Sequence, residues 1–455
     1  MELGELEKRI CGEIWTTDET WANARYLCDA CGHRFMGSSG YKKAADYVAS
    51  KLRAYGLKNV ALEPFDVRGW RRGTAGIQVL GDREREVACI ALPYCVPCDQ
   101  ALEVLDLGKG TPEEIEAHQD EIPGKAVLVS SGMPPGDKRW IHRMEKYMRA
   151  QEAGAAAFLF VNSNEGALPI TGSLPEKGSE IPGVGLSYEK GELLSRMLDT
   201  DALRIRLTVE SVSEPITSWN VVGEIPGADL AEELIVAGGH LDSHDLCAGA
   251  TDNASGIVLV LEAARVLGKL AGTLSRTIRF VAFGVEELGL IGSDAYAIAH
   301  GDEMEATQFM LNLDMTGANV ANAIALQACP ELTAYFQKMS DEMAYEMAVM
   351  DRFHPYSDHF AFVMDGVPAG SLGHDGRAGR GGYAHTAADT LEKLVPFELQ
   401  MSSMVTARIL LRLAQDAEFK PEHKSSEEVR ELLESSPFVD AMHYEGRWPW
   451  PDEEK

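Results

Sequence analysis

ELIVAGGHLDSHDLCAGATDNASGIVLVLEAARVLGKL, residues 233 to 270, holds three textures in one line. ELIVAGG has the length and apolar content of a buried strand. ASGIVLVLEAARVLGKL, from residue 254, carries apolar side chains around a long helix. Between them lie His240, Asp242, His244, Asp245 and Asp252, set among glycine and alanine. Neither a core strand nor a surface helix needs such a cluster, so the loop is a candidate for metal or acid–base chemistry.

The same strand-then-helix rhythm continues downstream. TIRFVAFG (277–284) reads as a strand and LGLIGSDAYAIAH (288–300) as a helix. FMLNLD (309–314) and AIALQAC (323–329) read as strands, and ELTAYFQKMSDEMAYE (331–346) as a helix. Upstream, YKKAADYVASKLRAYG (41–56) is amphipathic and NVALEPFDV (59–67) is strand-like. Such alternation predicts a three-layer α/β sandwich around a mostly parallel central sheet.

Between residues 68 and 217 the texture changes to short β-like runs, KAVLVSS and AAAFLFV, among Gly/Pro turns such as MPPGD. This stretch shows no candidate acid, base or metal cluster and reads as an inserted β-rich module. The expected layout is an N-terminal part at 1–67, the insert at 68–217, the main α/β domain at 218–417 and an extension at 418–455.

The 455 residues carry 71 Asp and Glu against 42 Lys and Arg, a formal charge of -29. Phosphate binding needs a basic face, so nucleic acid is excluded as a partner, as is an anionic membrane surface. No stretch approaches the roughly eighteen uninterrupted apolar residues of a membrane span. The N-terminus, MELGELEKRICGEIW, lacks a signal-peptide core. The chain therefore reads as soluble and cytoplasmic; a leader removed beforehand would leave no trace.

Two CxxC pairs, Cys28/Cys31 and Cys95/Cys98, raise a four-thiolate structural zinc. Their separation is far wider than the usual spacing of roughly 15–20 residues, which favours buried free thiols.

Three polar clusters directly follow three expected strands: His240 and Asp242, the pair Glu286-Glu287, and Asp314. Carboxyl ends of parallel strands form the crevice where ligands bind, so separate segments deliver their acids to one edge. Adjacent buried carboxylates repel, and Glu286-Glu287 calls for a cation or for two different tasks. His385 sits in the Gly-rich loop GGYAHTAADT (381–390), a poor place for a packing histidine.

In this order GGHLDS, GATDNASG, EELGLIGS, NLDMTG, YSDHFAF with GVPAGSL, and HTAADT resemble the motifs of the co-catalytic di-zinc exopeptidases. That family includes bacterial leucyl-type aminopeptidases and plasma glutamate carboxypeptidase. The resemblance covers most of 218–417 and the N-terminal HRFMGSSGYKKAADYV, and the insert is similar to a protease-associated domain. It implies two zinc ions per chain. His240 and Asp314 would hold one, Glu287 and His385 the other, and Asp252 would bridge them. Glu286 would be the general base, and Asp242 the carboxylate behind the ring of His240. His244 and Asp245 match no ligand of the family.

The resemblance implies hydrolysis at the end of short peptides and ranks aminopeptidase first. GGHLDSHDL is closer to the glutamate carboxypeptidase branch, which keeps a dipeptidase or carboxypeptidase open. Arg377 and Arg380, just before His385, could capture a substrate carboxylate, since guanidinium forks suit that group. Tyr356 or His354 could donate to the developing oxyanion. A one-zinc glutaminyl cyclase and a non-catalytic receptor ectodomain use related chains. The intact ligand set argues against both, and the lack of a membrane anchor against the second. The insert would restrict the cleft to short peptides or mediate a homodimer.

Overall fold

A computed structural model describes residues 2–133, 139–376 and 382–451. The chain groups into two compact units. The first comprises residues 1–67, 216–384 and 388–432, and the second residues 68–215, 385–387 and 433–455. The 418–455 extension is thus divided, with its last part grouping with the insert. It forms the helices Ser426–Ser435 and Val439–Tyr444.

In the first unit the sheet runs Ala348–Asp351, Ala323–Gln327, Ala369–Gly373, Thr307–Asn312, Leu230–His240, Arg276–Phe283, then the end of Arg204–Ile225. Four of its six neighbouring pairs are parallel. The pairings of Ala323–Gln327 with Ala369–Gly373 and of Arg276–Phe283 with residues 221–225 are antiparallel. Alternate residues of the central strands enter opposite cores. Ile235, Ala237, Phe280, Ala282, Phe309 and Leu311 join one, while Val236, Val281, Phe283 and Met310 join the other. A sheet buried on both faces has no polar face to alternate with, which is why ELIVAGG and TIRFVAFG read as unbroken apolar runs.

The larger core lies under the helices Leu3–Trp15, Ser39–Ala54, Ser255–Gly268 and Pro396–Gln415. Ser255–Gly268 is buried from Ser255 to Leu267, which explains its apolar character all round. At roughly 1.5–3 kcal/mol for each fully buried Ile, Val or Leu, this helix is a main source of cohesion. The opposite core packs the shorter helices Ile291–Ala299 and His359–Met364. Helix Leu3–Trp15 was not foreseen; its buried Leu6, Ile10 and Ile14 face the core at helical spacing.

The second unit has its own sheet. Strands Cys98–Asp106, Ala126–Ser130, Ala157–Val161 and Gly183–Leu186 run parallel, Ile90–Ala91 is antiparallel to the last, and residues 204–209 are antiparallel to the first. Helices Pro112–Ala117, Arg143–Glu152 and Tyr188–Leu198 accompany its strands.

All eight cysteines are free. Cys28 and Cys31 belong to the first unit, Cys95 and Cys98 to the second. Burial pushes the thiols of Cys28 up to about 12 and Cys95 to about 11. No helix among the described residues is long and apolar enough to cross a membrane.

Candidate metal centre

Strand register places the first unit's polar clusters side by side. His240 pairs with Phe283 across one strand boundary, and Gly238 pairs with Asn312 across the other. The residues that follow, Glu286-Glu287 and Asp314, therefore leave the sheet at the level of His240. Val285 and Met315, which flank these acids, hold φ of 58° and 54°, a left-handed conformation that turns the chain sharply off its strand.

The donors converge. His240 Nε2 lies 3.1 Å from Asp252 Oδ1 and 3.3 Å from Asp314 Oδ1. His240, Asp252 and Glu287 form one group whose ligand atoms lie within 4.8 Å of one another, and His240, Glu286 and Asp314 form a second. Burial disfavours a charged His240, but Glu286 and Asp314, with Asp242 and Asp252, outweigh it and raise its pKa well above the ordinary value. Burial, with Asp314, Asp358 and Glu287 adding to it and His240 opposing, raises that of Glu286 in turn. Imidazole and carboxylate donors crowded in this way suit a divalent cation of the zinc type.

The supporting contacts differ from expectation at Asp242. Its carboxylate stands 3.7 Å from His240 Nδ1, whereas that ring nitrogen is 3.2 Å from the backbone carbonyl of Asp242. The carboxylate instead accepts the backbone N–H groups of Glu286 and Glu287, at 3.0 and 3.1 Å. Asp252 was expected just before a helix starting near Ala254. The helix starts at Ser255, and Asp252 and Asn253 keep non-helical dihedrals.

Several supporting residues were missed in the sequence. Asn253 donates Nδ2 to the carbonyl of Leu313 and accepts from the N–H of Met315, clasping both sides of Asp314. The strand and helix approach so closely here that a Cβ at Gly239 or Gly256 would lie 2.2 or 1.9 Å from the Leu313 carbonyl. Asp389, 1% exposed, accepts from the N–H and hydroxyl of Thr251, both at 2.8 Å, and from the N–H of Asp252 at 3.1 Å. Ser357 donates to Asp314 Oδ2 at 2.7 Å and accepts from Asn312 at 2.8 Å. Fully buried Arg34 donates to the carbonyls of Leu241, Ala248 and Gly249, pinning the loop after His240. HTAADT and YSDHFAF were visible as motifs, but only contacts show what Asp389 and Ser357 hold.

His385, with φ of 59°, opens the segment 385–387 that groups with the second unit, where its carbonyl accepts the N–H of Thr171 at 2.9 Å. Half-buried His354 has its pKa lowered to about 4 by burial, and its Nδ1 accepts from the N–H of Tyr356 at 3.3 Å. That bond leaves the proton of a neutral ring on Nε2. Arg377 and Arg380 lie outside the described residues. Asp358, fully buried, has its pKa pushed up to about 8 by burial, with His240 opposing and Asp314 and Asp242 adding.

A three-layer α/β sheet that gathers imidazoles and carboxylates beyond its strand ends is the framework of a metal-dependent hydrolase. Within this chain, residues 220–410 match the model of peptidase family M28 and residues 94–194 match the PA domain. The chain is a peptide hydrolase. Over 354 residues it is 28% identical to probable leucine aminopeptidase 2 of Arthroderma benhamiae, covering 75% of this chain and 68% of that protein. Over 405 residues it is 26% identical to carboxypeptidase Q of Bos taurus, covering 87% and 85%. The solved structure of BSAP, a zinc aminopeptidase from Bacillus subtilis, superposes with a TM-score of 0.67 at 25% identity, covering 86% of this chain and 93% of that one.

Proposed function

We propose that this peptidase is a zinc-dependent aminopeptidase acting on short peptides and holding two zinc ions per chain. The convergence of His240 Nε2 on Asp252 and Asp314, at 3.1 and 3.3 Å, carries the reading, because these groups need a cation between them. His240 and Asp314 would hold one ion, Glu287 and His385 the other, with Asp252 between them. The three carboxylates would offset most of the charge of two divalent ions. Zinc held there would supply Lewis acidity and acidify water.

The chain's own residues do the rest. Glu286, half-buried beside its neighbours' negative charge, takes a proton from water and returns it to the leaving amine. Asp242 fixes the backbone at both glutamates. The neutral ring of His354 offers Nε2–H as a donor toward developing negative charge.

A carboxypeptidase or dipeptidase is the second reading, favoured by the broader coverage of carboxypeptidase Q, 87% of this chain against 75% for the leucine aminopeptidase. One assay separates them: aminoacyl-arylamides, a dipeptide, its N-acetyl derivative and its C-terminal amide, each with and without chelator. An aminopeptidase cleaves the arylamide and the amide and leaves the acetylated peptide intact. Cleavage of the acetylated peptide but not the amide establishes a carboxypeptidase, cleavage of the unmodified dipeptide alone a dipeptidase, and undiminished rates in chelator refute the metal.

A further inference from the structure

The loop after His240 holds one buried histidine that the reaction above does not use. His244 Nε2 stands 3.0 Å from Glu287 Oε2, with side chains 1% and 4% exposed. The two fall in one group of donors whose ligand atoms lie within 4.8 Å of one another. Two neighbouring groups lie beside it. The Arg34 N–H donates to the hydroxyl of adjacent Ser243 at 2.9 Å, and the ring of Phe35 lies against the imidazole with centroids 6.4 Å apart.

We propose that His244 is a further metal ligand of this chain, its Nε2 joining Glu287 on the same zinc. The inference rests on the two-zinc reading and adds to it a sixth protein donor. Imidazole suits zinc, and being neutral it adds affinity without disturbing the charge balance of the carboxylates. The family's motif order provides no histidine here, so this chain would hold that ion with one more nitrogen than the resemblance implies.

Metal binding tests this without reference to turnover. Metal-free wild type, His244→Phe and His244→Cys are titrated with zinc by equilibrium dialysis and with cobalt by absorption, and imidazoles per metal are counted by zinc X-ray absorption. His244→Phe is expected to weaken one metal equivalent about tenfold or more, a usual cost at such sites, and to leave the other unchanged. The imidazole count across the pair should fall by one. His244→Cys, small enough to be accommodated if the phenylalanine is not, should gain with cobalt a thiolate charge-transfer band absent from the wild type. Two unchanged equivalents, an unchanged imidazole count and no new band would overturn the assignment while leaving the two-zinc reading intact. A wild type that takes up no zinc would instead remove that reading, and this inference with it.

Discussion

Asp242 holds Glu286 by the backbone: its Oδ1 accepts the Glu286 N–H at 3.0 Å while Oδ2 takes that of Glu287 at 3.1 Å. One buried carboxylate thus sets the position of both the proposed base and a proposed ligand. Asp242→Asn keeps the shape but turns an NH2 group toward one of the two N–H donors. We expect kcat to fall and one zinc to bind about 10–100-fold more weakly, as outer partners of metal sites usually cost. Steady-state kinetics beside equilibrium dialysis checks this. Wild-type metal affinity in the variant would show that the two backbone bonds are dispensable.

Glu286→Gln separates proton transfer from metal binding. The amide cannot take a proton, so kcat should drop by about 10²–10⁴-fold. Zinc content by elemental analysis should stay at the wild-type value, since Asp252, Asp314, Glu287 and the histidines are untouched. Substantial residual activity with full metal would assign the base elsewhere, and buried Asp358 is the nearest alternative.

Asp389 is the corresponding support for Asp252. It accepts three hydrogen bonds from Thr251 and Asp252, and burial first of all raises its pKa. Asp389→Asn loses one acceptor oxygen and sets an amide against these donors, leaving at least one buried N–H unsatisfied at a cost of about 1–3 kcal/mol. Thermal unfolding of the metal-free protein should show that loss directly. Zinc titration should show a weakened metal equivalent as well. A variant with unchanged metal affinity but lowered Tm would confine Asp389 to a structural role.

How much of this could be read from the chain follows from the range of the forces involved. Strands buried on both faces show as apolar runs, so ELIVAGG and TIRFVAFG were legible, and with them the acids that follow. Register made those acids neighbours, and the parallel rhythm implied that as well. The contacts of Asn253, Asp389 and Arg34 were not legible. Each joins residues 60 or more positions apart through a buried hydrogen bond, and no local pattern reports such a bond. The backbone contacts of Asp242 were not legible for the same reason. Its nearest imidazole in sequence is two residues away, but its carboxylate is used 44 residues downstream. Helix Leu3–Trp15 escaped because its apolar stripe is short and interrupted by charge.

Away from the metal centre, His300 links strand and helix by charge. Its Nε2 lies 3.1 Å from both Glu63 oxygens, and its Nδ1 is 2.6 Å from Glu303. Arg279 Nη1 approaches Nδ1 at 3.3 Å, and the ring of Tyr296 stacks on the imidazole with centroids 4.4 Å apart. Hydrogen bonding to Glu63 is the leading cause of a raised His300 pKa, with burial and Arg279 opposing. Glu303 is held down to about 2, chiefly by Arg279, so it stays ionised wherever His300 titrates. A histidine whose pKa is higher folded than unfolded stabilises the fold fully below its unfolded value, about 6.5, and that contribution is lost as pH rises through the folded value. His300→Gln should therefore destabilise more at acidic than at alkaline pH. Because the site is partly solvated, the difference should stay under about 1 kcal/mol. Urea melts of both proteins at about pH 5.5 and about pH 9, on either side of the ordinary histidine range, measure it. A gap between wild type and variant that is equal at both pH values, or wider at the higher one, would mean that His300 serves the fold as a neutral ring, by stacking on Tyr296 alone.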